Sequence, residues 1–157
     1  MEPVLRATAR VLPVSAAGEC LLLLDQDPGR PGELRWGTIG GALDPGEDHV
    51  TAALRELREE TGVVVAADAL VGPFYRDHRH FTYDGRAYLG DSTFFALRLS
   101  SDVAITFEHL ETGEVDNVIE ARWWTPHDVA ADGRLVAPDL PEIMSAAIVA
   151  ARGAAPA

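Results

Sequence analysis

Short apolar runs punctuated by turn residues dominate the first forty positions of the chain. Arg6 to Val14 (RATARVLPV) places β-branched residues in partial alternation and predicts a strand. Glu19 to Asp25 contains the unbroken apolar run Cys20 to Leu24 and predicts a second, more deeply buried strand. Ser15-Ala16-Ala17-Gly18 joins the two as a hairpin-like connection. Gln26 to Glu33 is a loop by its Pro and Gly content, and Leu34 to Ile39 a short extended segment ahead of Gly40-Gly41. After the turn signal Asp44-Pro45-Gly46 the pattern changes. Asp48 to Thr61 predicts a helix, with Asp48 near its start and Gly62 as its stop. Val63 to Val65 and Leu70 to Tyr75 read as extended, and Ala87 to Leu99 as a longer strand. Glu108 to Asn117 is an acidic loop and Ile119 to Thr125 a further strand. Pro126 to Ala131 is a short helix opened by Thr-Pro, and Pro141 to Arg152 a final helix of small and apolar residues. Residues 153–157 are expected to fray. Helices interspersed among strands predict a mixed α/β sandwich, and the length predicts one domain over residues 1–157.

Composition narrows the function classes. The chain is 47% hydrophobic and 24% charged, which is ordinary for a soluble globular protein. A formal net charge of −12 argues against nucleic-acid binding through a basic surface. It leaves open a phosphorylated small molecule, because a bound cation inverts the local sign of an acidic site. Cys20 is the single cysteine, so no internal disulfide forms. Its apolar surroundings make it a core residue rather than a nucleophile. No segment has the apolar length of a membrane span. The N-terminus lacks a signal-peptide core, so the expected location is cytoplasmic.

The candidate chemistry lies in one 23-residue stretch, Gly41 to Val63. Its segment Arg55-Glu56-Leu57-Arg58-Glu59-Glu60 packs three carboxylates into five residues. On a helical wheel these three fall within an arc of about 100°. Val50, Leu54, Leu57 and Thr61 form a separate, adjacent stripe, so one face can pack on a sheet while the other meets a cleft. Arg55 flanks the acidic face and could orient a carboxylate. Carboxylates crowded this closely repel one another unless a cation sits between them, and a divalent metal is the simplest such cation. A solvated acidic face is the plain alternative for the segment alone. Gly40-Gly41 weakens that alternative, because glycine lets backbone carbonyls approach a ligand closely.

The spacing of Gly41, Glu47, Arg55, Glu56, Leu57, Glu59, Glu60, Gly62 and Val63 resembles the Nudix box at every position. The flanks are similar too: two strands before the box, Trp36 and the paired glycines leading in, and an Arg-Trp-Trp strand before a short helix. Thr38-Ile39 departs from the family, where Pro often adjoins the glycines. The resemblance implies a Nudix-type α/β/α sandwich with a mixed central sheet. It implies Mg²⁺-dependent hydrolysis, with Mn²⁺ as a substitute, of a phosphoanhydride in a nucleoside diphosphate linked to another group. Glu56, Glu59, Glu60 and Arg55 are the implied catalytic residues. Metal ligands would be the Gly40 carbonyl, Glu56, Glu59 and Glu60, with Glu111 and Glu114 ranked first, and Glu120 next, to complete the site from outside the box. Glu47 and Gly41 would support them from behind. The general base stays open between Glu59 and a glutamate of the acidic loop. Loss of the catalytic role, leaving a nucleotide- or metabolite-binding regulatory module, is the alternative; retention of every box glutamate disfavours it.

Substrate contacts are harder to read. Tyr75 to Phe81 (YRDHRHF) mixes cations with aromatics, and Arg76 and Arg79 could meet phosphate. Arg35 and Trp36 precede the glycines and are candidates for the pocket. Sequence markers that accompany the box in ADP-ribose, diadenosine polyphosphate and coenzyme A pyrophosphatases are not evident, which weakly favours a nucleoside di- or triphosphate. The expected partner is a nucleotide-type small molecule, with no nucleic acid and no membrane, and a homodimer remains open.

Overall fold

In the computed structural model, which describes residues 2–157, the run Cys20–Leu24 is buried throughout because helices cover both faces of the sheet that holds it. Its side chains alternate between two cores. Cys20, Leu22 and Leu24 face one cluster with Leu12, Val14, Trp36, Ile143 and Met144. Leu21 and Leu23 face the other with Val11, Ile39, Ala53, Leu57 and Leu97.

The elements are β1 (Val4–Val14), β2 (Cys20–Gln26), β3 (Leu34–Gly37), β4 (Ile39–Ala42), α1 (His49–Thr61), β5 (Val71–Tyr83), β6 (Arg86–Arg98), β7 (Val118–Trp124), α2 (Pro126–Asp132) and α3 (Leu140–Ala151), with a 3₁₀ turn at Ala67–Ala69. The sheet is mixed and follows the order β3-β2-β1-β6-β5. β1 runs parallel to β6 from Val4↔Tyr88 to Val14↔Arg98. On its other edge, Thr8–Val11 pair antiparallel with β4, and Val14 then pairs with Cys20 of β2. β7 joins β2 antiparallel. Residues of α1 contribute to one core cluster and those of α2 and α3 to the other, an α/β/α arrangement.

Three features differ from expectation. The extended segment before the box is two short strands broken at Thr38, and the second carries Gly40 and Gly41 into the sheet. β5 continues through the basic-aromatic segment to Tyr83, turns at Asp84-Gly85 and returns as β6. The expected strand ended at Tyr75 because the polar residues beyond it lack an apolar repeat, whereas cross-strand pairing with Arg86 to Thr93 sustains the ladder. Val63–Val65 form no strand. The tail 153–157 has no regular element, and the Ala157 amide donates to the Arg98 carbonyl. Among the described residues no helix is long and apolar enough to cross a membrane.

Candidate active site

The carboxylate cluster is built by packing α1 against β4. Asp48 caps the helix by accepting the Thr51 amide at 2.7 Å, and Gly62 closes it in the left-handed region at φ 79°. Between these caps Glu56 and Glu60, one turn apart, aim at the glycine pair. The Gly40 amide donates to Glu60 Oε1 at 2.7 Å. A Cβ at Gly41 would stand 2.5 Å from Glu56 Oε1. At Gly40, where φ is 143°, a Cβ would overlap the Ala9 carbonyl and lie 2.8 Å from Arg10 Cα. The carboxylates reach the backbone because neither position carries a side chain.

The acidic and apolar stripes of α1 are less separate than the wheel implies. Glu56 and Glu60 are buried along with Leu57 and Thr61, while Val50 and Leu54 are half-buried. Arg55 sits at the centre of the cluster rather than at its flank. Its Nε and Nη2 each donate to Glu47 at 2.9 Å, and Nη2 also to the Ala42 carbonyl at 3.0 Å. Its Nη1 reaches Glu56 at 3.1 Å and Glu59 at 3.2 Å. Glu47 also accepts the Asp44 amide at 2.9 Å, so one arginine ties the entry turn, β4 and the helix together.

Electrostatics follow from this packing. Hydrogen bonds from Arg55 pull Glu47 down to about 2. Burial pushes Glu56 up to about 7 against the opposing pull of Arg55. Glu60 rises well above the ordinary carboxylate range, through burial and then through Glu56 and Glu114. Glu59 is raised as well, chiefly by desolvation. The acidic loop brings Glu111 and Glu114 to the same place. Carboxylate oxygens of Glu56, Glu60 and Glu114 lie within 4.8 Å of one another, and so do those of Glu59, Glu111 and Glu114. Glu120 is elsewhere, paired with Arg122 at 2.8 Å. The donor set is all oxygen and suits a hard divalent cation. Five carboxylates converge near two guanidiniums, those of Arg55 and Arg10, and Arg55 is already shared with Glu47. The residues present therefore fit a metal such as Mg²⁺ or Mn²⁺.

A cleft of about 780 Å³ opens beside the cluster. Arg6, Thr8 and Arg10 line it from the same face of β1 on which Leu12 and Val14 enter the core. The β2–β3 loop adds Asp27 and Arg30, and β5 adds Asp77, Arg79 and Phe81. Of the four residues expected to contact substrate, Arg35 and Arg79 line this cleft and Trp36 and Arg76 do not. Trp36 follows Arg35 on β3, so it points to the opposite side. It is fully buried, edge-on to Trp124 at 5.2 Å, and belongs to the core. Arg76 is exposed and, three residues from Arg79, lies on the opposite face of β5. Arg79 is held by Asp139 at 2.6 Å and Asp77 at 3.0 Å.

Two cleft residues escape sequence reasoning. Arg10 donates to the Gly40 carbonyl at 3.1 Å, and Asp25, at the end of β2, is lifted by burial to about 6 against the pull of Arg10. Arg10 is a lone charge in the middle of β1 and Asp25 one near the end of β2, and each is a signal easily taken for a solvated strand position.

Comparison with known proteins agrees with the geometry. The NUDIX domain family model matches residues 4–144, and the chain belongs to this family. It is 40% identical over 52 residues to a Bacillus subtilis (strain 168) protein named "Putative 8-oxo-dGTP diphosphatase", a match covering 31% of this chain and 35% of that protein. The chain thus aligns with about a third of that relative's length. Among solved structures, the Escherichia coli dihydroneopterin triphosphate pyrophosphohydrolase superposes with a TM-score of 0.68 at 18% identity, over 93% of this chain and 98% of that one. The MutT protein of Methanosarcina mazei Go1 superposes at 0.65 with 21% identity, over 92% and 96%. At these identities the likeness is one of fold.

Proposed function

We propose that this chain, as a single domain over residues 1–157, hydrolyses a phosphoanhydride bond in a nucleotide-type substrate. A nucleoside di- or triphosphate is favoured, and Mg²⁺ is the activating ion, replaceable by Mn²⁺. The observation that carries this reading is the convergence of the box glutamates with Glu111 and Glu114 at one end of a cleft whose other walls carry arginines. The Gly40 carbonyl, Glu56, Glu59, Glu60, Glu111 and Glu114 would hold the metal, which supplies charge neutralisation on the phosphate oxygens and a water of lowered pKa. Glu59, less buried than Glu56 and Glu60, stands with Glu111 and Glu114, and the general base that would take the proton from the attacking water is either Glu59 or one of these two loop glutamates. Arg55 fixes the ligand carboxylates in place, so little reorganisation is needed when charge develops. Arg35 and Arg79, on the cleft wall, meet substrate phosphate. Cys20, buried and unpaired with its thiol pushed up to about 12, is compatible with a cytoplasmic setting.

The names of relatives supply the panel to assay: 8-oxo-dGTP, dihydroneopterin triphosphate and unmodified nucleoside di- and triphosphates. Release of phosphate or pyrophosphate is measured with and without Mg²⁺, with Glu60→Gln as control. Metal-dependent turnover abolished by the substitution is the expected result. No turnover across the panel, together with tight nucleotide binding, would instead identify a binding module.

A further inference from the structure

The cations of the cleft are not equivalent. Arg55 is committed to Glu47, Glu56 and Glu59, and Arg79 to Asp77 and Asp139. Arg6 lies over the Tyr88 ring at 5.3 Å. Arg10, midway along β1, has no carboxylate within 4.0 Å among the described residues, although Glu60, Glu56 and Asp25 all act on it electrostatically. Its one hydrogen bond among these residues is from Nη1 to the Gly40 carbonyl, which leaves most of a five-donor fork open to the cleft. Gly40 thereby offers its amide to Glu60 and its carbonyl to Arg10, and a Cβ there would lie 2.8 Å from both Cα and Cδ of Arg10.

We propose that Arg10 is a further phosphate-receiving residue of the cleft, and that a divalent ion at the Gly40 carbonyl would displace its guanidinium from that carbonyl. The assignment of phosphate as its ligand rests on the function proposed above. A guanidinium and a divalent ion at one carbonyl repel each other. The ion therefore weakens the hold of Gly40 on Arg10, and a planar fork with unused donors matches phosphate oxygens two at a time. Arg10 in this way couples metal occupancy to substrate binding.

The test uses the full chain with Mn²⁺ alone and then with inorganic pyrophosphate at saturating Mn²⁺, each titrated calorimetrically. Arg10→Gln is expected to tighten Mn²⁺ binding several-fold, because a competing cation is gone, and to weaken pyrophosphate binding at least about tenfold. Arg10→Lys keeps the charge and loses the fork, so Mn²⁺ affinity stays near wild type while pyrophosphate binding weakens. This second variant carries the test if Arg10→Gln does not fold. Unchanged pyrophosphate affinity in either variant would overturn the proposal and leave Arg10 as a structural prop for Gly40. Neither titration needs turnover, so an inactive wild type would count against the hydrolase reading without deciding this one.

Discussion

The two ends of the cleft are built by different means. The carboxylate end comes largely from 21 consecutive positions, Gly40 to Glu60, and its geometry is local: helix caps, two glycines without side chains and one arginine clamp. The other end is assembled from β1, the β2–β3 loop, the β5–β6 hairpin and the start of α3. It is held by contacts between residues far apart in sequence. Asp27 Oδ1 accepts the amides of both Gly29, at 2.8 Å, and Asp84, at 2.7 Å, and Arg79 reaches Asp139 at 2.6 Å. Chemistry that depends on a metal demands fixed residue types at fixed spacing. Recognition built from distant loops demands only that some suitable group arrive.

The sharpest test of this contrast removes a carboxylate. Glu56→Gln and Glu60→Gln keep the shape of α1 but delete a charge from the donor set. Because a bound metal contributes several kcal/mol to a charged transition state, kcat is expected to fall by about 10³ or more. Gly41→Ala should approach that loss without touching a carboxylate, since its Cβ would displace Glu56 Oε1. Steady-state kinetics at saturating metal decide the matter. A Gly41→Ala enzyme with wild-type kcat would break the claim that backbone geometry sets the carboxylate end.

A smaller effect is expected at Glu47. It touches no part of the donor cluster except through Arg55, so Glu47→Gln weakens the bracing and leaves the ligands in place. Losses of 10- to 100-fold, of the order seen when the support behind a metal ligand is removed, are expected in metal affinity or kcat/KM. A drop equal to that of Glu60→Gln would move Glu47 into the donor set itself.

The pH dependence separates the same two groups. Glu56 has its pKa raised from 4.5 to about 7, so it favours the folded metal-free protein below 4.5, and that contribution is lost as pH rises to about 7. Glu47 is depressed to about 2, so its stabilisation is complete above 4.5 and is lost only as pH falls toward 2. Between pH 4.5 and 7 the Glu47 contribution is constant. The metal-free melting temperature should therefore fall across that window as Glu56 ionises. Metal binding must expel the proton from Glu56, and affinity should strengthen by about tenfold per pH unit for each proton released. The melting-temperature increment given by Mg²⁺ then grows from pH 5.5 to 7.5. Thermal melts with and without metal check this, and an increment independent of pH would show that the cluster is already ionised.

Legibility in the sequence follows the same division. The box spacing singled out Glu56, Glu59 and Glu60 as the cluster that the fold brings together with Glu111 and Glu114, and the caps Asp48 and Gly62 marked the ends of α1 to within one residue. The apolar run Cys20–Leu24 announced a deeply buried strand, which helices cover on both faces. What was hidden depended on pairing and facing. The length of β5 beyond Tyr75 comes from its partner β6 rather than from its own polar residues. The inward turn of Trp36 depends on which side of β3 the core lies, and a four-residue strand does not say. Arg10 looks like an ordinary charge until β4 is laid beside β1 with Arg10 opposite Gly40.

The smallest expected effect bears on the recognition end alone. Arg76 and Arg79 look interchangeable in the segment YRDHRHF, yet alternation along β5 places one in solvent and the other on the cleft wall. Arg76→Ala should leave kcat/KM within about twofold, as expected of an exposed side chain with no hydrogen-bond or ion-pair partner among the described residues. Arg79→Ala should raise KM while leaving kcat near wild type, because it removes a cation from the cleft wall, loosens the tie between β5 and the start of α3, and leaves Asp77 uncompensated in the cleft, where it repels an anionic substrate. High salt would reduce that difference by screening these charges. Equal losses from the two substitutions would mean that the recognition surface extends around the edge of β5, and that the cleft as described is only part of it.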